Sequence, residues 1–197
     1  MPALRSLKVM LAAAIGALAL VALWVGVLSP LMDKRAADRI GYGDYALETT
    51  EGTTFTSASL PGQVTAVFFG FTHCPDVCPT TLGDMMLWQD ELGEAADDLR
   101  IVFITIDPER DTLPMLNDYV GWLPGALGAT GTPEQVKAAE DAFRNFSQKV
   151  PLEGGDYTMD HTSKVMVFDR NGEFADTISY QEDPASAVAK LRVLLTA

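Results

Sequence analysis

Residues 9–28 form an unbroken run of 20 uncharged, mostly apolar positions behind Arg5 and Lys8. A helix needs about 20 such residues to cross the hydrocarbon core, so the pattern predicts an N-terminal transmembrane helix. A secretory signal peptide also starts with basic residues and an apolar segment, but that segment is usually shorter and leads into a small-residue cleavage site. Here Pro30 interrupts the nearest such site, and no lipid-accepting cysteine follows. Residues 1–28 therefore read as an uncleaved anchor. Residues 29–44 mix charges, small residues and glycines, and read as a linker.

From residue 45 the pattern alternates between strand and helix. Residues 45–50 and 53–56 flank Glu51-Gly52, a hairpin turn. Residues 63–69, with Val64, Val67, Phe68 and Phe69, and residues 100–106 are runs that suit buried strands. Residues 79–91 carry Leu82, Met85, Met86 and Trp88 near helical spacing, which makes both methionines core residues rather than metal ligands. Residues 114–122 and 133–146 each open on a proline, as helices do, with Thr132 as an N-cap. Residues 163–168 and 174–179 flank Asp169-Arg170-Asn171-Gly172, a hairpin signal. Residues 184–195 place Val188, Leu191, Leu194 and Leu195 on one helical face. Residues 147–160 contain two adjacent glycines and no period, and read as an exposed loop. The expected fold class is α/β, a thioredoxin-like mixed sheet flanked by helices over residues 45–197.

Charge narrows the partners. The first forty residues hold five of the 14 basic and two of the 27 acidic side chains, leaving 9 against 25 and a formal charge of −16 for the rest. Nucleic acid is a poor partner for that surface, since phosphate binding needs clustered Lys and Arg. Cations and basic protein patches suit it through long-range steering, although solubility alone accounts equally well for the acidity.

The chemistry sits in Cys74-Pro75-Asp76-Val77-Cys78, where a strand run ends and a helix begins. Free N–H groups and the positive dipole end at a helix start favour thiolate, the form that attacks disulfides and binds soft metals. Three readings compete. A structural disulfide would close a very small loop and add little entropic stability. A catalytic dithiol would have Cys74 as nucleophile and Cys78 as resolving thiol, but such enzymes normally keep two intervening residues and here there are three. A metal site needs a further ligand. Only two histidines exist, His73 and His161. His73 adjoins Cys74 and is read as supporting or structural. His161 precedes a strand, and in a thioredoxin-like sheet that junction lies beside the active helix start. Two thiolates and one imidazole suit copper, and zinc accepts them with a water, so the donor set leaves the two ions undecided.

Phe69-Gly70-Phe71-Thr72-His73-Cys74-Pro75-Asp76-Val77-Cys78-Pro79 closely resembles the signature of the Sco/SenC family of copper chaperones. Asp107-Pro108-Glu109-Arg110-Asp111-Thr112 and Asp160-His161-Thr162 resemble that family's later motifs, in the same order. The resemblance runs from about Tyr45 to the C-terminus. It implies that Cys74, Cys78 and His161 bind one copper ion per domain, and that the protein helps assemble the copper centre of cytochrome c oxidase. Implied partners are the copper-containing oxidase subunit, other copper chaperones and thiol reductants. Reduction of a partner's cysteines is the alternative activity. Asp107 and Asp111 read either as turn formers before proline or as outer carboxylates that orient the ligands. The expected location is the bacterial inner membrane, single-pass, with the C-terminal domain in the periplasm. Basic residues do not settle that orientation, since Arg5 and Lys8 on one flank face Lys34, Arg35 and Arg39 on the other.

Overall fold

The computed structural model describes residues 2–28 and 40–196. The chain divides into two compact units, Met1–Asp38 and Arg39–Ala197. In the first, helix α1 spans Pro2–Leu23 and is followed by a π-helical turn over Trp24–Leu28. Every described side chain from residue 14 to 26 is exposed, so the helix buries none of that apolar surface within its own unit. The α-helical share of the uncharged stretch ends at Leu23, and among the described residues no helix is long and apolar enough to cross a membrane.

The second unit is built on a seven-stranded mixed sheet. Strands β1 (Leu47–Thr49) and β2 (Thr54–Phe55) form the first hairpin, with Gly52 at φ +74° in its turn. The centre of the sheet is β3 (Val64–Gly70), followed by helix α2 (Val77–Leu92) and β4 (Leu99–Thr105). Helix α3 (Leu113–Val120) leads to β5 (Ala126–Thr130), and helix α4 (Pro133–Phe143) follows. A hairpin of β6 (Ser147–Pro151) and β7 (Tyr157–His161) then precedes β8 (Lys164–Phe168), β9 (Phe174–Ser179) and helix α5 (Pro184–Leu195). The strand order is β2-β1-β5-β4-β3-β8-β9, with β3, β4 and β5 parallel and the remaining neighbours antiparallel.

All seven residues of β3 are buried, as a central strand covered on both faces requires. Phe68 points to one face, where it meets Phe103, and Phe69 points to the other, where it meets Phe143 of α4. Each such ring contributes roughly 2–3 kcal/mol on leaving water. Right-handed crossovers from β3 to β4 to β5 put α2 and α3 on the Phe68 face, and the Tyr119 ring of α3 meets Phe103 there at a tilt, with centroids 5.5 Å apart. Met85 is buried and Met86 packs against the core, as their spacing predicts. The caps follow the sequence as well: Gln135 N–H donates to the Thr132 hydroxyl at 3.3 Å, and Ser186 N–H to Asp183 at 3.1 Å.

Two expectations are corrected, and one strand is added. Residues 147–160 are not an open loop, because β6 and β7 pair from Ser147↔His161 to Pro151↔Tyr157. That hairpin is exposed on much of its surface, so its side chains lack the apolar alternation that marks a strand in sequence. Strand β5, for which the sequence pattern carried no signal, has a glycine at its centre because α3 packs close: a Cβ on Gly128 would lie 2.8 Å from Leu116 Cβ. The expected linker overlaps the folded unit, since Ile40 packs on the core and Gly41 N–H donates to the Ala142 carbonyl at 2.9 Å. The first part of that linker, residues 29–39, lies outside the described residues.

Candidate metal centre

Strand β3 ends at Gly70, and residues 71–76 bridge to α2 at the C-terminal edge of the parallel strands. Cys78 is the second residue of α2 and is fully buried, while Cys74 lies in the bridge and is half-buried. Asp76, the N-cap residue, makes no side-chain cap. The Cys74 sulfur takes that role and accepts the Cys78 N–H at 3.4 Å. Gly70 makes room for this packing, because a Cβ there would lie 2.8 Å from Cys78 Sγ and from the Phe103 ring.

His161 ends β7, and its Nε2 lies 3.7 Å from Cys78 Sγ. Its other nitrogen, Nδ1, is 2.9 Å from the Thr162 carbonyl. A carbonyl can only accept, so Nδ1 donates to it, and Nε2 is the nitrogen turned toward the thiols. Phe68 and Phe71 hold the ring edge-on, with centroids 6.2 and 6.0 Å away. Among the described residues, Cys74, Cys78 and His161 form the one cluster of three or more metal-ligating side chains, with ligand atoms all within 4.8 Å of one another.

The two thiols are electrostatically distinct. A hydrogen bond from the Cys78 thiol, with help from His161 and the amides of Cys78 and Asp76, lowers Cys74 to about 4 against the opposing effect of burial. Cys78, as the donor in that bond and the more buried sulfur, is pushed up. Cys74 is thus the thiolate of the metal-free site.

The two aspartates lie outside the ligand cluster. Asp111, fully buried, accepts Thr72 N–H at 3.0 Å, the Thr72 hydroxyl at 2.6 Å and the Thr105 hydroxyl at 2.6 Å, which pins the segment leading to Cys74. His73, largely exposed, bonds the Thr72 hydroxyl at 3.1 Å and lies 3.7 Å from Asp111. Asp107 accepts the Tyr157 hydroxyl at 2.8 Å and is paired with Arg110. Thr72 and Tyr157 were not evident as site residues in the sequence. Thr72 lies within the cysteine motif, but Tyr157 stands in a stretch with no pattern of its own. A cavity of about 560 Å³ among Gln89, Leu99 and Pro124 lies at the opposite end of β4 and β5.

A thioredoxin-like α/β domain with two thiols and an imidazole converging at the start of α2 defines the class of protein. The profile of the SCO1/SenC family matches residues 33–196, and the chain belongs to that family. It is 35% identical over 153 residues to the SCO2-like protein of Rickettsia felis, covering 76% of this chain and 75% of that protein. It is 40% identical over 138 residues to the mitochondrial SCO1 homolog of Homo sapiens, covering 68% of this chain and 46% of that protein. Among solved structures it resembles ScoI of Bradyrhizobium japonicum with copper bound, at TM-score 0.72 and 37% identity over 79% of this chain and 99% of that one. Yeast Sco1 with copper bound gives TM-score 0.70 at 32% identity, over 80% and 90% of the two chains.

Proposed function

We propose that this chain binds one copper ion through Cys74, Cys78 and His161, and serves as a membrane-anchored chaperone for the copper centre of cytochrome c oxidase. The observation that carries the reading is the convergence of two sulfurs and an imidazole nitrogen within 4.8 Å of one another. That soft, three-donor set suits copper(I), and copper(II) binds with an added oxygen ligand. Family membership and the copper-bound relatives favour copper over zinc. Anaerobic titration of the fully reduced protein with copper tests this. One copper per domain is expected in the wild type and no stable binding in His161→Ala. Full affinity in His161→Ala overturns the site.

A second activity, reduction of a partner's disulfide, is favoured by the half-buried Cys74 thiolate beside a protonated Cys78. Cys74 would attack one sulfur of the partner's disulfide, releasing the other as a thiol. Cys78 would then displace the partner from Cys74, leaving a Cys74–Cys78 disulfide and a reduced partner. A mixed disulfide trapped by Cys78→Ser is the expected signature. The anchor reading rests on the uncharged residues 9–28, and translocation of the domain puts the site in the periplasm of a bacterial inner membrane. Retention of the full chain in carbonate-washed membranes, with protease access only from the periplasmic side, is the expected result. The oxidase subunit that receives copper is the partner for this site.

A further inference from the structure

Strands β6 and β7 form a sheet of their own and share no ladder with the seven-stranded sheet. His161 therefore depends on other contacts for its place. Along β7, Tyr157, Met159 and His161 share one face, with Met159 buried, while Asp160 is exposed on the other. The C-terminal end of the strand is tied through Thr162, whose N–H donates to the Phe146 carbonyl at 2.9 Å, and β8 begins soon after.

The other end is held by side chains. The Tyr157 hydroxyl donates to Asp107 Oδ1 at 2.8 Å, and Arg110 Nε donates to Asp107 Oδ2. Arg110 Nη1 donates to the Tyr157 carbonyl at 3.0 Å, and its guanidinium lies 3.8 Å from the centre of the Tyr157 ring. Three residues thus close a ring of contacts around a carboxylate with no solvent exposure. Asp107 is itself rooted at the sheet, since its N–H donates to the Thr105 hydroxyl at 2.9 Å and Ile106 N–H to the Gly70 carbonyl at 2.9 Å. Gly70 is the residue from which the cysteine segment departs.

We infer that Asp107, Arg110 and Tyr157 form a latch that positions His161 against the two thiols. They are positioning residues for copper binding and touch no ligand atom. A strand rises about 3.4 Å per residue, so the latch acts on His161 from roughly 14 Å away along β7. Fixed at both ends, β7 presents Nε2 at a set distance from Cys78; released at Tyr157, it is held only by the buried Met159 and by the tie at Thr162. The imidazole would then have to be ordered again each time copper binds, which lowers affinity.

The inference rests on the copper reading above, and the test separates the two. Copper(I) affinity is measured by competition with a chromophoric chelator for wild type, Tyr157→Phe, Asp107→Asn, His161→Ala and the Tyr157→Phe/His161→Ala double variant. Amide hydrogen exchange across β7 is followed in the same proteins without metal. Tyr157→Phe keeps the ring and its Arg110 stack, so it retains the fold even if Asp107→Asn does not. The expected result is about tenfold weaker binding in Tyr157→Phe, the scale of an outer partner of a metal ligand, with faster β7 exchange. In the His161→Ala background, where the two thiols alone leave only weak copper(I) binding that chelator competition still reads, the same change should cost nothing more, because no positioned imidazole is left to lose. An equal loss in both backgrounds, or unaltered affinity or β7 exchange in Tyr157→Phe, overturns the latch alone. Full copper affinity in His161→Ala overturns the three-ligand site and the latch with it.

Discussion

The segment carrying the cysteines and the hairpin carrying His161 meet at one site, yet they are held in different ways. Residues 71–78 leave a fully buried strand and enter the first turn of α2, with Gly70 sized for the Cys78 sulfur and Asp111 pinning Thr72. The β6–β7 hairpin has its own two-strand ladder, a mostly exposed surface and a side-chain tie at Tyr157. The first is rigid because the core makes it so. The second is held by one buried side chain, Met159, and by contacts at its ends. Asp107 and Asp111, both at the β4–α3 junction, serve one half each.

Four changes would break or sharpen this contrast. Cys78→Ser has the largest expected effect: copper(I) affinity should fall by more than the roughly 100-fold limit for outer partners, with the fold retained, as read by chelator competition and circular dichroism. Asp111→Ala should come next, destabilising the metal-free protein by roughly 3 kcal/mol in urea unfolding. It leaves the Thr72 N–H and Thr105 hydroxyl without their acceptor. Exchange of the β7 amides should stay unchanged, because Asp111 belongs to the cysteine half; faster β7 exchange would erase the division.

The third prediction concerns the two thiols in the reduced, metal-free protein. Thiolate is the charged, reactive form, so a lowered value keeps it populated as pH falls. Alkylation of Cys74 should be nearly constant from pH 8 to about 5 and be halved near its value of about 4, while Cys78 stays protonated and unmodified. Peptide mapping after pulsed labelling reads both, and a rate that falls steadily below pH 8 would show an ordinary thiol. Lys149→Met should have the smallest effect. Lys149 pairs with Glu109 at 2.7 Å, but both side chains are about half exposed, and such pairs contribute roughly 0.5 kcal/mol or less. A loss above about 1 kcal/mol in unfolding would mean that the hairpin is held from its outer side as well as by Arg110 and Asp107.

The sequence by itself determined the strands, helices and caps whose patterns are local: the buried run at β3, the proline-opened helices α3 and α4, the Asp169–Gly172 turn and the cysteine pair at a helix start. It also carried the three motifs by which the family is legible. Strand β5 and the β6–β7 hairpin escaped because neither has a periodic apolar face, one being shaped by close packing of α3 and the other lying mostly in solvent. The sequence also pointed to His161 over His73, through its place before a strand and the family's motif; the tertiary structure supplied the geometry, bringing a residue 83 positions beyond Cys78 to within 3.7 Å of its sulfur. It also decided what the two aspartates do, since a carboxylate's role depends on which donors surround it. Arg110 stands in one of the motifs but Tyr157 in none, and 47 positions separate them. Hydrogen bonds and ring contacts between such distant residues leave no local period to read, and they exist only once the sheet has brought its edges together.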